Sequence, residues 1–223
     1  MLKALLFDMD GTLSNTDPIH MLAWQETFRA HDVFVDDLIY HERIVGRMNP
    51  LIVKDFLPQL NDVEVDKVVE EKEDNFKKLA TKLEPLPGLS RLLEWRVAQG
   101  FQTALVTNAT NHTVPFNLQA LGLDDYFQVR VLADDADVPA GKPDPRHYQT
   151  ALNRLNIQAS EAIAFEDSPS GVRSASGAGI VTVGLTTTQS PESLLAAGAT
   201  IAVPDFTSSE LWDFLKQYET VSA

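Results

Sequence analysis

The stretch Ala4-Leu5-Leu6-Phe7-Asp8-Met9-Asp10-Gly11-Thr12 decides how the rest of the chain reads. Four apolar residues run without interruption into an acidic pair. A short, continuously apolar run suits a strand covered on both faces of a sheet. Two carboxylates two residues apart, on extended backbone, can point the same way. Gly11 permits a sharp turn away from the strand. Such a strand end can place a nucleophile and an acid/base within a few ångströms of each other. Taken alone, Asp-x-Asp also fits a solvated acidic turn. A calcium loop is excluded, because the twelfth position from Asp8 is Ile19 and not Glu.

The same pattern recurs along the chain. Thr103 to Val106 runs into Thr107-Asn108, and Ala162 to Phe165 into Glu166-Asp167. Ile180 to Val183 runs into Gly184, and Thr200 to Val203 into Pro204-Asp205. Helical patterns alternate with these runs. Leu89, Leu92, Leu93 and Val97 share a helical face that Gly100 can stop. Tyr148, Ala151, Leu152 and Leu155 form another, with Asp144 as cap and Pro145 in the first turn. Ser168-Pro169 opens a third, carrying Val172, Ala175 and Ala178. Alternating strands and helices predict an α/β fold, a doubly wound parallel sheet of Rossmann-like type. Ligands of such sheets sit at the carboxyl ends of the strands.

Residues 15–84 break the alternation and read as helical. Asp17-Pro18 starts a helix with Ile19, Leu22, Ala23 and Phe28 on its inner side. Leu51, Ile52, Val53, Phe56 and Leu57 predict a second helix, and Val63 to Leu79 a charged third. A loop of this length is unusual, so the segment reads as an inserted helical cap domain, 15–84. The sheet domain then comprises 1–14 and 85–223. A helical insert beside the strand ends suggests a lid.

Composition narrows the function classes. The 223 residues are 44% hydrophobic, enough for a packed interior. The formal net charge of −14 argues against nucleic acid and anionic membranes as partners. The chain has no cysteine, so disulfides and thiolate metal sites are excluded. The apolar run before Asp8 is too short for a signal peptide or a membrane helix, and a cytoplasmic protein is expected. A monomer is expected too, since the fold needs no partner to complete its core.

Three further strand ends accompany the acidic pair. Thr107 can offer a hydroxyl and nearby amides to a phosphate oxygen, although a strand-terminal Thr is common. Lys142 lies in Gly141-Lys142-Pro143-Asp144-Pro145, where prolines stiffen the backbone that carries the ammonium. An exposed loop lysine is the plain alternative. Glu166-Asp167 follows an apolar strand directly, with helix-capping acids as the plain alternative. A carboxylate pair, a hydroxyl, a lysine and a second acidic pair in this order point to one site.

These residues resemble the four motifs of the haloacid dehalogenase-like superfamily, over essentially the whole chain. The insert is similar to the helical cap of its β-phosphoglucomutase-like and phosphoglycolate phosphatase-like branch. The resemblance implies that Asp8 attacks phosphorus and becomes an aspartyl phosphate, with Asp10 as acid and then base. It implies Mg²⁺ held by Asp8, the Asp10 carbonyl, Asp167 and Glu166, with Lys142, Thr107 and Asn108 around the transferring phosphate. Asp10 and the metal carboxylates argue for phosphate chemistry over dehalogenation. Phosphonatases of this fold use a cap lysine, for which Lys54 and Lys72 are candidates; a solvated helix lysine is the alternative for both.

His20 matches a histidine of β-phosphoglucomutases, and Lys72-Glu73-Asp74-Asn75-Phe76 resembles one of their cap segments. Two departures favour a phosphatase over a mutase. Asn49 stands where those enzymes carry a cap arginine, with Arg47 only nearby, and Ala109-Thr110-Asn111 replaces a lysine-containing segment. The expected activity is therefore Mg²⁺-dependent hydrolysis of a small phosphorylated metabolite such as a sugar phosphate. A phosphosugar mutase is the alternative, and a catalytically silent binding module a further one. His20, Arg47 and Lys72 are the candidate cap contacts to substrate. For His20 the alternative is a partly buried residue stacked near Trp24. For Arg47 it is a solvated charge.

Overall fold

The computed structural model describes residues 1–138 and 140–219. Six strands form one parallel sheet: β1 (Ala4–Phe7), β2 (Gln102–Val106), β3 (Val129–Val131), β4 (Ala162–Glu166), β5 (Val181–Leu185) and β6 (Ile201–Val203). Their order is β3-β2-β1-β4-β5-β6. The order reverses beside β1, which opens a crevice at the carboxyl ends of β1, β2 and β4. Asp8 and Asp10 sit at that crevice.

Period-2 alternation divides β1 between two cores. Leu5 and Phe7 pack with Leu89, Leu92, Phe206 and Leu211 on one face. Ala4 and Leu6 pack with Tyr148, Ala151, Leu152 and Ala175 on the other. Both faces are dry, which is why the strand is apolar throughout. Phe7 stacks on Phe165 of β4, centroids 5.0 Å apart and planes 13° off parallel, anchoring the two acid-bearing strand ends side by side.

Four helices lie between β1 and the first helix on the sheet: α1 (Asp17–Arg29), α2 (Asp37–Arg43), α3 (Asn49–Phe56) and α4 (Asp62–Leu79). They bury their own cluster, which includes Trp24, Phe28, Tyr40, Ile52, Val53 and Val65. Asn61 caps α4 through a reciprocal box with Glu64. The chain enters and leaves the insert side by side: Ser14 bridges Pro85, and the Leu86 amide donates to the Leu13 carbonyl at 2.8 Å. The remaining helices are α5 (Leu89–Gln99), α6 (Val114–Leu121), α7 (Arg146–Leu155), α8 (Pro169–Gly177), α9 (Pro191–Ala197) and α10 (Ser209–Leu215).

Several local expectations need correction. Leu22 and Val97 are 49% and 59% exposed, not inward. In α1 the inner face is Ala23, Trp24, Thr27 and Phe28, and Leu22 falls one step round the helix from it. β5 runs on through Gly184 to Leu185. There a Cβ on Gly184 would meet Leu194 of α9 at 3.0 Å, so the glycine allows a close helix rather than a stop. Helix α7 starts one residue later than expected: Pro145 is its N-cap, while the Asp144 carboxylate accepts from the Arg146 amide at 2.9 Å. Strand β3 is three residues with Arg130 in the middle, too short and polar to show as a run. Among the described residues, no helix is long and apolar enough to cross a membrane.

Candidate active site

The end of β1 delivers Asp8 into the crevice, and its amide donates to the Phe165 carbonyl of β4 at 3.1 Å. Lys142, from the loop after β3, is buried with its Nζ 2.6 Å from Asp8 Oδ1 and 2.6 Å from Glu166 Oε1. The exposed-loop reading of Lys142 is thereby overturned. Asn108 holds this loop in place, since its Oδ1 accepts from the Lys142 amide at 2.9 Å. Burial disfavours the Lys142 charge, but Asp8 and Glu166 outweigh it and raise the pKa. Thr107, at the end of β2, is buried beside the same cavity, and its Oγ1 accepts from the Ala109 amide at 3.1 Å.

Asp8, Glu166 and Asp167 each offer an oxygen within 4.8 Å of the others, and all three residues are buried. Glu166 Oε1 accepts from Tyr148 Oη at 2.6 Å, while Oε2 is buried without a protein partner among the described residues. Burial pushes Glu166 up to about 7, and burial with the Asp8 charge raises Asp167 well above the usual range. Asp8 is raised by burial as well, against the pull of Lys142. Two glycines make room for these acids. A Cβ on Gly11, whose φ is +76°, would lie 2.1 Å from Asp167 Oδ2. A Cβ on Gly171 would lie 1.8 Å from Glu166 Oε2.

This donor set fits a divalent cation. All its donors are oxygens, one carboxylate oxygen lacks a partner, and three clustered carboxylates face one ammonium.

Asp10 belongs to a different network. Its Oδ1 accepts from Thr16 Oγ1 at 2.7 Å and lies 3.1 Å from His20 Nε2. Burial opposes its charge, but His20, Thr16 and Lys72 together hold the pKa below the usual value. Two carboxylates two residues apart are thus gripped by different parts of the chain, Asp8 by the sheet loops and Asp10 by the insert.

On the insert side the structure corrects two readings. His20 stacks on Phe76, centroids 4.2 Å apart, and not on Trp24. Lys72 is no solvated lysine: it is 2% exposed, with Nζ 2.9 Å from His20 Nδ1 and 3.0 Å from Glu73 Oε1. Arg47 lines the cavity, yet its Nη1 donates to Asp55 at 2.9 Å and to the Arg43 carbonyl at 2.7 Å. Lys54 pairs with Asp62 at the surface.

Sequence reasoning missed four contributors. Thr188, in the loop after β5, donates from Oγ1 to Asp167 Oδ2 at 2.6 Å, and Thr187 donates to the Gly11 carbonyl. The signal was available as a run of three threonines at a strand end. Glu73 of α4 and Thr113, the N-cap of α6, are hydrogen-bonded to each other across the junction of insert and sheet. Nothing local marks that pair. The cavity between them and Asp8 measures about 130 Å³.

Known proteins resemble this chain over most of its length. The haloacid dehalogenase-like hydrolase family matches residues 5–185. The chain is 35% identical to a validoxylamine A 7′-phosphate phosphatase of Streptomyces hygroscopicus subsp. limoneus, over 93% of this chain and 95% of that one. It is 34% identical to a phosphorylated carbohydrates phosphatase of Thermotoga maritima, over 80% and 82%. A crystal structure of CbbY from Rhodobacter sphaeroides in complex with xylulose-(1,5)bisphosphate superposes with a TM-score of 0.83 at 27% identity, covering 93% of this chain and 96% of that one.

Proposed function

Because the chain belongs to the haloacid dehalogenase-like hydrolase family, we propose that it is a Mg²⁺-dependent phosphatase of small phosphorylated metabolites, with sugar phosphates as the substrate class. The observation that carries this reading is the separation of Asp8 from Asp10. Asp8 rests against Lys142, and Asp10 rests against His20 and Thr16. One carboxylate is available for covalent attack while its neighbour handles protons. The phosphatase names of the two relatives support the same reaction.

In the first step an Asp8 oxygen forms a bond to phosphorus as the ester P–O bond breaks, and Asp10 gives its proton to the leaving oxygen. In the second, water attacks the phosphorus of the aspartyl phosphate, Asp10 takes the water's proton, and Asp8 and inorganic phosphate are regenerated. His20 and Thr16 keep Asp10 on the ionised side at rest, so it acts as an acid only with phosphate charge beside it. Lys142 and Thr107 face the transferring phosphoryl group. Asp8, Glu166, Asp167 and the Asp10 carbonyl would hold Mg²⁺, which supplies the positive charge that lets a carboxylate approach a phosphate. The helical insert acts as the lid over the site, with residues 15–84 as cap and 1–14 with 85–223 as core.

Phosphate release from a panel of sugar phosphates, with and without Mg²⁺, tests the proposal. Release that a chelator stops and Asp8→Asn abolishes is expected. Chelator-resistant turnover, or full activity in Asp8→Asn, would remove it. Isomerised product without net phosphate release would establish a mutase instead.

A further inference from the structure

The far end of the cavity is built by the insert, and its charges cancel. The Lys72 ammonium is buried and matched by the Glu73 carboxylate at 3.0 Å. Glu73 stays ionised: burial opposes its charge, but Lys72, His20 and Thr113 outweigh it and lower its pKa. Asp17 adds a second carboxylate to the same wall, accepting from Tyr40 Oη at 2.8 Å. Arg47 is the other lysine or arginine that the insert adds to the lining, and it faces Asp55. An incoming second phosphate would meet carboxylates here and find, among the described residues, no uncommitted cation.

The hydrogen-bonding capacity that is left over suits hydroxyl groups. Glu73 Oε1 already accepts from Asn49 Nδ2 at 2.6 Å and from Lys72, and Oε2 accepts from Thr113. A carboxylate has about four lone-pair sites, so Glu73 Oε2 keeps one acceptor position. Asn49 lines the cavity and spends one of its two N–H groups on Glu73. Its carbonyl oxygen and second N–H remain for a ligand. Two acceptors and one donor, side by side on a wall without free charge, match vicinal hydroxyls.

We propose that Glu73 and Asn49 select the monophosphate ester of an uncharged polyhydroxyl compound, a sugar or cyclitol, and exclude its bisphosphate. This rests on the phosphatase reading above and names the substrate class of that same site. Neither residue touches the reacting phosphorus; they set which esters dock.

The test is binding, measured by calorimetry in Mg²⁺ on Asp8→Asn, with hexose and pentose monophosphates and their bisphosphates. At least one monophosphate should bind 10-fold or more tightly than its bisphosphate partner. Adding Glu73→Gln, which keeps the shape and removes the charge, should tighten the bisphosphate about 10-fold and close most of that gap. Asn49→Ala should weaken the sugar monophosphate about 5-fold, and inorganic phosphate less. A panel in which no monophosphate binds, or none outbinds its bisphosphate, overturns the proposal, and so does a gap that Glu73→Gln leaves unchanged. Wild-type turnover separates the two readings. Binding with the predicted preference but without phosphate release would sink the phosphatase alone. Equal hydrolysis of both esters would sink the substrate class alone.

Discussion

Lys72 Nζ lies 2.9 Å from His20 Nδ1, and this contact fixes the histidine tautomer. An ammonium group only donates, so Nδ1 must accept and the ring proton must sit on Nε2. From there it is donated to Asp10 Oδ1, 3.1 Å away. A lysine on α4 therefore orients the hydrogen bond received by a carboxylate at the end of β1.

Replacing His20 by Gln or Lys72 by Met removes groups that lower the Asp10 pKa, and burial then pulls it upward. The limb of the pH profile of kcat/KM assigned to Asp10 should move to higher pH in both variants. An unmoved limb would show that Asp10 titrates independently of the insert.

Asp10→Asn should cost about 10²- to 10⁴-fold in turnover of an alkyl phosphate, the usual worth of a positioned proton donor. The loss should be smaller for p-nitrophenyl phosphate, whose leaving group needs no proton. Steady-state rates on the two esters decide this, and equal losses would contradict the assigned role.

Thr188 touches no substrate in this scheme; its hydroxyl holds Asp167 Oδ2 at 2.6 Å and the Asp167 carbonyl at 3.1 Å. Removing a partner that orients a metal ligand weakens metal binding by about 10- to 100-fold. Thr188→Val should show this as a weaker Mg²⁺ affinity in calorimetry, and Thr188→Ser should restore it. Unchanged affinity would reduce Thr188 to a packing role.

His147 is buried on α7, and burial together with Lys142 lowers its pKa from 6.5 to about 4. Between those values the unfolded chain binds the proton that the folded chain refuses, so stability rises with pH across this window. By pH 5 the histidine should have cost about 2 kcal/mol of the stability it permits at pH 7. Urea melts of wild type and His147→Leu at the two pH values measure it. The wild type should lose about that much more than the variant on acidification.

The polar residues at the strand ends of the sheet were legible because their signals are local. Apolar continuity from Ala4 to Phe7 marks a strand buried on both faces, and Asp8, Thr107 and Glu166-Asp167 follow such runs directly. Parallel pairing then brings those ends together whatever the loops between them do. Lys142 was legible only by its motif, since nothing in a loop of prolines says which way an ammonium points.

The sequence by itself determined the doubly wound sheet, the helical character of the segment after β1 and the acids at the strand ends, because periodicity and strand-terminal polarity are written within a few neighbouring residues. The tertiary structure alone decided what surrounds those acids. Lys72 meets His20 across 52 residues, Glu73 meets Thr113 across 40 and Thr188 meets Asp167 across 21. A charged residue on a helix reads as solvated until the packing of other elements buries it. Whether Lys72 and Glu73 face water or a substrate is set by how the insert docks on the sheet, a long-range consequence of burial that no local pattern encodes.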